Sequence, residues 1–303
     1  MKLSARKVRN YDLYANHAWY VPGVGGMFAL LGWFLVGNLL GSLIMIIAVS
    51  LMPALEDYTM LVVYPLSFLP AMVYAARQSQ KNSLFEPGYK LNSSNFGPFT
   101  GWQLALITVL LTFATMVAAD LPNYGNMQLT NALGMEALFE QFKGIMESMT
   151  GGPFWSSFLL VAIFAPIFEE WLCRGMVLRG LLTKMKPGWA IVVSALFFAV
   201  IHLNPWQALN AFIIGVVMGV VYYRTGSLLL TMLIHFVNNG SAVIGTQFTE
   251  LSDADFWIET MPLPTYIAVY VAGVAVLAAC IWAFCRIPLQ QERGNIDPVE
   301  LLA

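Results

Sequence analysis

Charge is what this chain has least of. Asp, Glu, Lys and Arg make up 11% of its 303 residues, where a water-soluble domain carries about 25%. Hydrophobic residues make up 58%, a balance that excludes an ordinary soluble globule and points to a polytopic membrane protein. There is no basic cluster and no phosphate-cradling glycine loop, so nucleic-acid and nucleotide binding are set aside. The three cysteines, Cys173, Cys280 and Cys285, form no CxxC pair. Each lies in or at the end of an apolar segment and reads as packing, so no redox compartment follows. No HExxH sequence fixes two metal ligands on one helix face. No Ser–His or Cys–His pairing stands out, and no internal repeat of the transporter kind is present. No cleavable signal is expected either: the first apolar run begins only near Met27 and exceeds the ~7–15 residues of a signal core.

What is there is a series of apolar runs of bilayer length. Eight candidate spans stand near the ~17–25 residues a membrane crossing requires: 27–51, 58–76, 102–119, 154–182, 188–204, 206–223, 227–245 and 264–284. The fifth is the shortest. Asn204-Pro205 after it reads as a tight turn rather than the tip of a re-entrant pair. The expected fold is therefore all-α, a helical membrane bundle of about eight transmembrane helices in a single membrane-embedded domain over residues 1–303. Cytoplasmic loops should hold the Lys and Arg excess. With the N-terminus inside, that side receives Lys2, Arg6, Lys7, Arg9, Arg77, Lys81, Lys90, Arg174, Arg179, Lys184, Lys186, Arg224, Arg286 and Arg293. Of the 15 basic residues, Lys143 alone falls outside. The opposite loops are acidic, with Glu56, Asp57, Asp120, Glu250, Asp253, Asp255 and Glu259. Both termini are expected to be cytoplasmic. Between the third and fourth spans, Met135, Leu138, Phe139, Phe142, Ile145, Met146 and Met149 recur at helical steps, an amphipathic helix expected along the outer interface. Gly37-x-x-x-Gly41 and Gly215-x-x-x-Gly219 allow close helix contact, a common packing pattern that says little about a dimer.

The fourth span carries an anomaly. From Phe154 to Leu172 its only charges are the adjacent Glu169 and Glu170. One ionised carboxylate at the centre of a bilayer costs about 3 kcal/mol or more, so such groups mark functional sites by default. Arg174 follows Glu170 by one turn and shares its face, where the two can pair. Glu169 points about 100° away and is left for other work. The bland reading, an ion-pair network that fixes helix packing, suits Glu170–Arg174 better than it suits Glu169. The fifth span ends in Phe198-x-x-x-His202. Glu169 precedes the Lys184-Met185-Lys186-Pro187 link by about as many residues as His202 follows it, roughly 20–25 Å of helix on each side. An antiparallel hairpin would set the two at one depth, facing each other. The seventh span adds His235 and Asn239, four apart on one face. Two of the chain's three histidines are thus intramembrane. His17, in the polar N-terminal segment, is given no role, and Asn210 reads as packing.

Such a set permits hydrolysis, which needs an activated water and a home for the oxyanion. Glu169 with His202 could hold and deprotonate a water, and His235 with Asn239 could donate to the oxyanion. Two His and a Glu also match catalytic zinc in kind, although they are spread over three helices. The residues leave the two routes open. Cys173 lies one turn past Glu169, but nothing marks it as activated.

Glu169-Glu170-x-x-x-Arg174-Gly175, Phe198-x-x-x-His202 and His235-x-x-x-Asn239 resemble, in order and in placement on successive helices, the three motifs of the CPBP family. These are the CAAX proteases and bacteriocin-processing enzymes, also called Abi. The resemblance spans residues 158–245, the expected catalytic core. It implies an intramembrane endopeptidase in which Glu169 is the base and His202 helps to position the water. It further implies that Glu170 and Arg174 shape the site and that His235 and Asn239 stabilise the oxyanion. Zinc is possible but not required. Eukaryotic members remove the last three residues of prenylated CAAX proteins. The implied partner is a peptide or membrane-protein substrate, which can carry a lipid-modified C-terminus, and the implied location is a bacterial cytoplasmic membrane. The alternative is a non-catalytic immunity or scaffold protein that keeps the polar cluster for helix association. A proton relay or transporter is a distant third.

Overall fold

In the computed structural model the chain is an all-α bundle. The structure describes residue 20 and residues 22–78, 96–150, 152–182, 184–248 and 256–287. His17, the basic residues Lys2, Arg6, Lys7, Arg9, Lys81, Lys90 and Arg293, and the acidic Glu250, Asp253 and Asp255 lie outside the described residues. So does most of the polar segment between the second and third spans.

The helices in chain order are α1 (Val24–Leu51), α2 (Glu56–Gln78), α3 (Gly101–Ala132) and α4 (Glu136–Thr150). They continue with α5 (Phe154–Leu181), α6 (Pro187–Ile201), α7 (Pro205–Thr225), α8 (Leu228–Phe248), the single turn α9 (Trp257–Thr260) and α10 (Leu263–Cys285). Among the described residues, seven are long and apolar enough to cross a membrane, and the protein is an integral membrane protein. The remaining expected span, α6, has 15 residues, about 22 Å of helix against the ~30 Å hydrocarbon layer. It stops where Leu203 turns left-handed, with φ of +51°. Asn204 then accepts a hydrogen bond from the Trp206 backbone N–H at 3.0 Å, and Pro205 opens α7. The Asn204-Pro205 signal thus marks a tight turn, and the reversal is buried at Asn204.

α3 is longer than the sequence predicts. The expected third span ends at Ala119, yet the helix continues to Ala132 and passes Pro122. Proline has no N–H to give the carbonyl four residues back. Here that carbonyl, Ala118 O, is reached by the Tyr270 hydroxyl of α10 at 3.5 Å. Asp120, expected in a loop, sits inside α3 and accepts from the Trp257 N–H at 3.1 Å and the Tyr266 hydroxyl at 2.9 Å. Tertiary partners from α9 and α10 therefore carry the helix past its breaker. The amphipathic segment does form a helix, α4. Of its apolar stripe, Phe142 and Met149 are half-buried, whereas Met135 and Leu138 are exposed.

α5 is the innermost helix. The most apolar window of this span is 61% buried, against 11% for α10. It contacts α2, α6 and α8, and α6 packs in turn on α7. Both small-residue pairs are used inside the chain. A Cβ on Gly37 would stand 1.8 Å from the Ser67 carbonyl oxygen of α2, and one on Gly215 would stand 3.1 Å from the Ala195 Cβ of α6. The first contact presses α1 against α2. The second draws α7 close to α6, where the bare Gly215 carbonyl becomes available to a buried side chain.

Candidate active site

The ordinary helical ladder of α5 is interrupted twice. Phe158–Phe164 and Trp171–Leu178 are wound as π-helix, and the α-helical turn between them, Ala165–Glu170, ends in the two glutamates. Such widened turns are frequent at functional sites. In the first of them the Ala165 N–H bonds five residues back, to Leu160 O. The next donor in that register would be residue 166, which is proline. Val161 O is therefore deprived of its donor, and Asn239 Nδ2 supplies one from α8 at 2.8 Å. Asn238 Nδ2 donates to Asn239 Oδ1 at 3.1 Å, which orients that amide. The structure thus attaches Asn239 to the α5 backbone through one of its two N–H bonds. Asn239→Ala should strand the Val161 carbonyl, a loss of about 1–3 kcal/mol visible as a lower unfolding temperature. Asn239→Asp should not rescue it, because an ionised carboxylate has no hydrogen to donate.

Glu170 and Arg174 are fully buried and paired, Nη1 to Oε1 at 2.7 Å. The guanidinium also donates to Gly215 O at 3.1 Å and lies 4.4 Å over the Phe198 ring. His235 Nδ1 stands 3.1 Å from the same Glu170 oxygen. With that carboxylate ionised against Arg174, the Nδ1 carries the proton. Phe198 is also edge-on to His202, with ring centres 4.7 Å apart, and to His235 at 5.5 Å. One aromatic ring thus abuts three of the polar groups.

Glu169 has a different environment. Its Oε1 accepts from the Tyr64 hydroxyl of α2. Its Oε2 is buried and makes no hydrogen bond to the described residues. That oxygen lies 3.8 Å from His202 Nε2 and 3.9 Å from His235 Nε2. The depth matching across the α5–α6 link thus brings Glu169 and His202 together. His202 Nδ1 is 2.7 Å from Phe198 O. A carbonyl only accepts, so Nδ1 is the donor, and in the neutral ring Nε2 presents its lone pair to Glu169. The side chains of Glu169 and His202 remain 12% and 18% accessible, whereas Glu170 is closed off at 0%. Of the two glutamates, the one that meets His202 thus keeps some accessible surface, although its Oε2 is itself buried.

Residues 151–241 match the family described as type II CAAX prenyl endopeptidase Rce1-like. The match supports assigning the chain to the CAAX-protease family. No curated protein and no solved structure matches the chain. The family supports a membrane-embedded protease acting on a peptide substrate.

Other polar residues stand apart from this cluster. Asn210 accepts from Asn123 Nδ2 of α3 at 3.0 Å. Cys173 is buried, with its carbonyl taken by the Ser194 hydroxyl. Among the described residues no three His, Cys, Asp or Glu side chains are arranged as a metal-holding group. The Glu–His–His donor types suit zinc, but their spacing does not make a formed ligand set. The sequence reading missed Tyr64. One tyrosine in an apolar run, followed by Pro65, carries no spacing signal that separates it from Tyr58 or Tyr74.

Proposed function

We propose that this protein hydrolyses a peptide bond at membrane depth with a water activated by Glu169 and His202. The observation that carries this reading is the orphaned Glu169 Oε2, buried and facing His202 Nε2 at 3.8 Å. The separation is too long for a direct hydrogen bond and suits a bridging water. A water oxygen ~2.8 Å from each atom would subtend an angle of about 85–90° there. Both of its hydrogens would then point at acceptors, Oε2 and the Nε2 lone pair, leaving an oxygen lone pair for attack.

In the reaction, Glu169 takes a proton from the water as its oxygen bonds to the carbonyl carbon. His202 holds the second hydrogen. The oxyanion is met by Asn239, through the N–H not used by Val161, and by His235 Nε2. His235 donates from Nε2 only as the imidazolium, since Nδ1–H is committed to Glu170. Glu170, itself fixed by Arg174, is the acceptor that holds this ring. Collapse of the tetrahedral intermediate breaks the C–N bond. The proton on Glu169 passes to the departing amine, which returns the carboxylate. The substrate class is a peptide or membrane-protein segment, with a lipid-modified C-terminus among the forms it can take. On the Lys and Arg asymmetry both termini lie inside, and on the family resemblance the membrane is a bacterial cytoplasmic one.

The deciding experiment uses the purified full chain and an internally quenched peptide ending in a farnesylated CAAX box, beside its unprenylated counterpart. Cleavage that survives a strong chelator is expected. Lack of cleavage of either peptide counts against the hydrolase. Chelator loss restored by zinc would replace the glutamate route with a metal route.

A further inference from the structure

The α1–α2 hairpin lies outside the family-matched segment, yet it supplies a hydrogen bond to the reacting group. We propose that Tyr64 is a positioning residue for Glu169, its hydroxyl fixing the carboxylate so that the second oxygen faces the two imidazoles. The inference rests on the reading of Glu169 as the base and extends the site to a helix that the motifs do not include.

A carboxylate on a long side chain turns freely about its terminal bond unless an oxygen is held. In Glu169 one oxygen is held by the Tyr64 hydroxyl, and the other is the oxygen near His202 and His235. The tyrosine is itself anchored on several sides. Its ring packs on Phe68 at 5.4 Å, and Phe68 contacts Phe34 of α1 at 5.1 Å. Phe68 also stacks on Phe168 at 5.5 Å, the residue next to Glu169 in α5. The Tyr64 carbonyl accepts from the Ser67 hydroxyl at 2.7 Å, and Ser67 is the residue on which Gly37 of α1 is pressed. A path of packed groups therefore runs from the α1–α2 contact through Tyr64 to Glu169. Active-site geometry depends on such supports, and a misplacement of about 1 Å can cost on the order of 100-fold in rate.

The test is Tyr64→Phe in the purified full-length chain, which removes one oxygen and keeps the ring. Two readouts are taken. The first is the infrared absorption of the Glu169 carboxylate, assigned as the band lost in Glu169→Gln. It should shift in Tyr64→Phe, whether or not a substrate is turned over. The second is cleavage of the farnesylated quenched peptide. There kcat should fall about 10–100-fold, with KM and unfolding temperature essentially unchanged. Adding Tyr64→Phe to Glu169→Gln should lower the residual cleavage no further. An unshifted Glu169 band overturns the proposal. So does a loss of rate matched by a rise in KM and a lower unfolding temperature, the pattern of a merely structural tyrosine. Absence of cleavage by the wild-type chain would instead strike the hydrolase reading, while the infrared band would still decide whether Tyr64 holds Glu169.

Discussion

Glu169→Gln should reduce kcat on a cleavable peptide by about 10²–10⁴-fold, the usual worth of a general base. The substitution is nearly isosteric. Tyr64 can still donate to the remaining carbonyl oxygen, and the new amide N–H would face the Nε2 lone pair of His202. Folding, yield and unfolding temperature should therefore be retained. What is lost is the ability to accept a proton from water and pass it to the leaving amine. KM should change little, because Glu169 bonds Tyr64 and faces the histidines, and the proposed mechanism gives it no contact with the bound peptide. The measurement is steady-state cleavage by matched preparations, with unfolding temperature as the control. Wild-type turnover by the variant would remove Glu169 from the mechanism. A non-catalytic scaffold predicts that same indifference.

The largest effect on stability is expected at Arg174. Arg174→Leu leaves Glu170 fully buried without its guanidinium partner. It also strips the Gly215 carbonyl of a donor and the Phe198 ring of its guanidinium. Breaking one side of a buried ion pair costs about 3–5 kcal/mol, because the partner's desolvation is no longer offset. The variant should unfold at much lower temperature in detergent or fail to accumulate. Removing both charges in Glu170→Gln with Arg174→Leu should recover a large part of that stability, since no uncompensated ion remains. The double variant should nevertheless stay inactive, because His235 loses the carboxylate that holds its Nδ1 proton. Thermal unfolding of the single and double variants beside a cleavage assay separates the two roles. A double variant as unstable as Arg174→Leu would show that the pair is not what the fold depends on here.

Much of this arrangement could be read before any coordinates. Helix spacing alone pairs Glu170 with Arg174, since i and i+4 share a face whatever surrounds them. Equal residue counts on either side of the Lys184–Pro187 link set Glu169 and His202 at one depth, and in the fold they meet. Other features were out of reach. Pro122 is a breaker by its chemistry, and only the approach of Tyr270 of α10 to the Ala118 carbonyl, and of Asp120 to α9 and α10, lets α3 run past it. Pro166 announces a missing N–H, but not that the widened turn would hand Val161 O to Asn239. Tyr64 has no motif, because its partner is 105 positions away and on a helix without a fixed register to α2.

The amino-acid sequence by itself determined the membrane class, the set of apolar helices and the identity of the polar groups held among them. Those follow from composition and from periodicities that act over a few residues. The tertiary structure decided which oxygen of Glu169 faces the histidines, which backbone carbonyl engages Asn239, and that α2 reaches the Glu169 carboxylate. These depend on the rotation and close approach of helices far apart along the chain. Side-chain packing sets that geometry, and no local pattern encodes it.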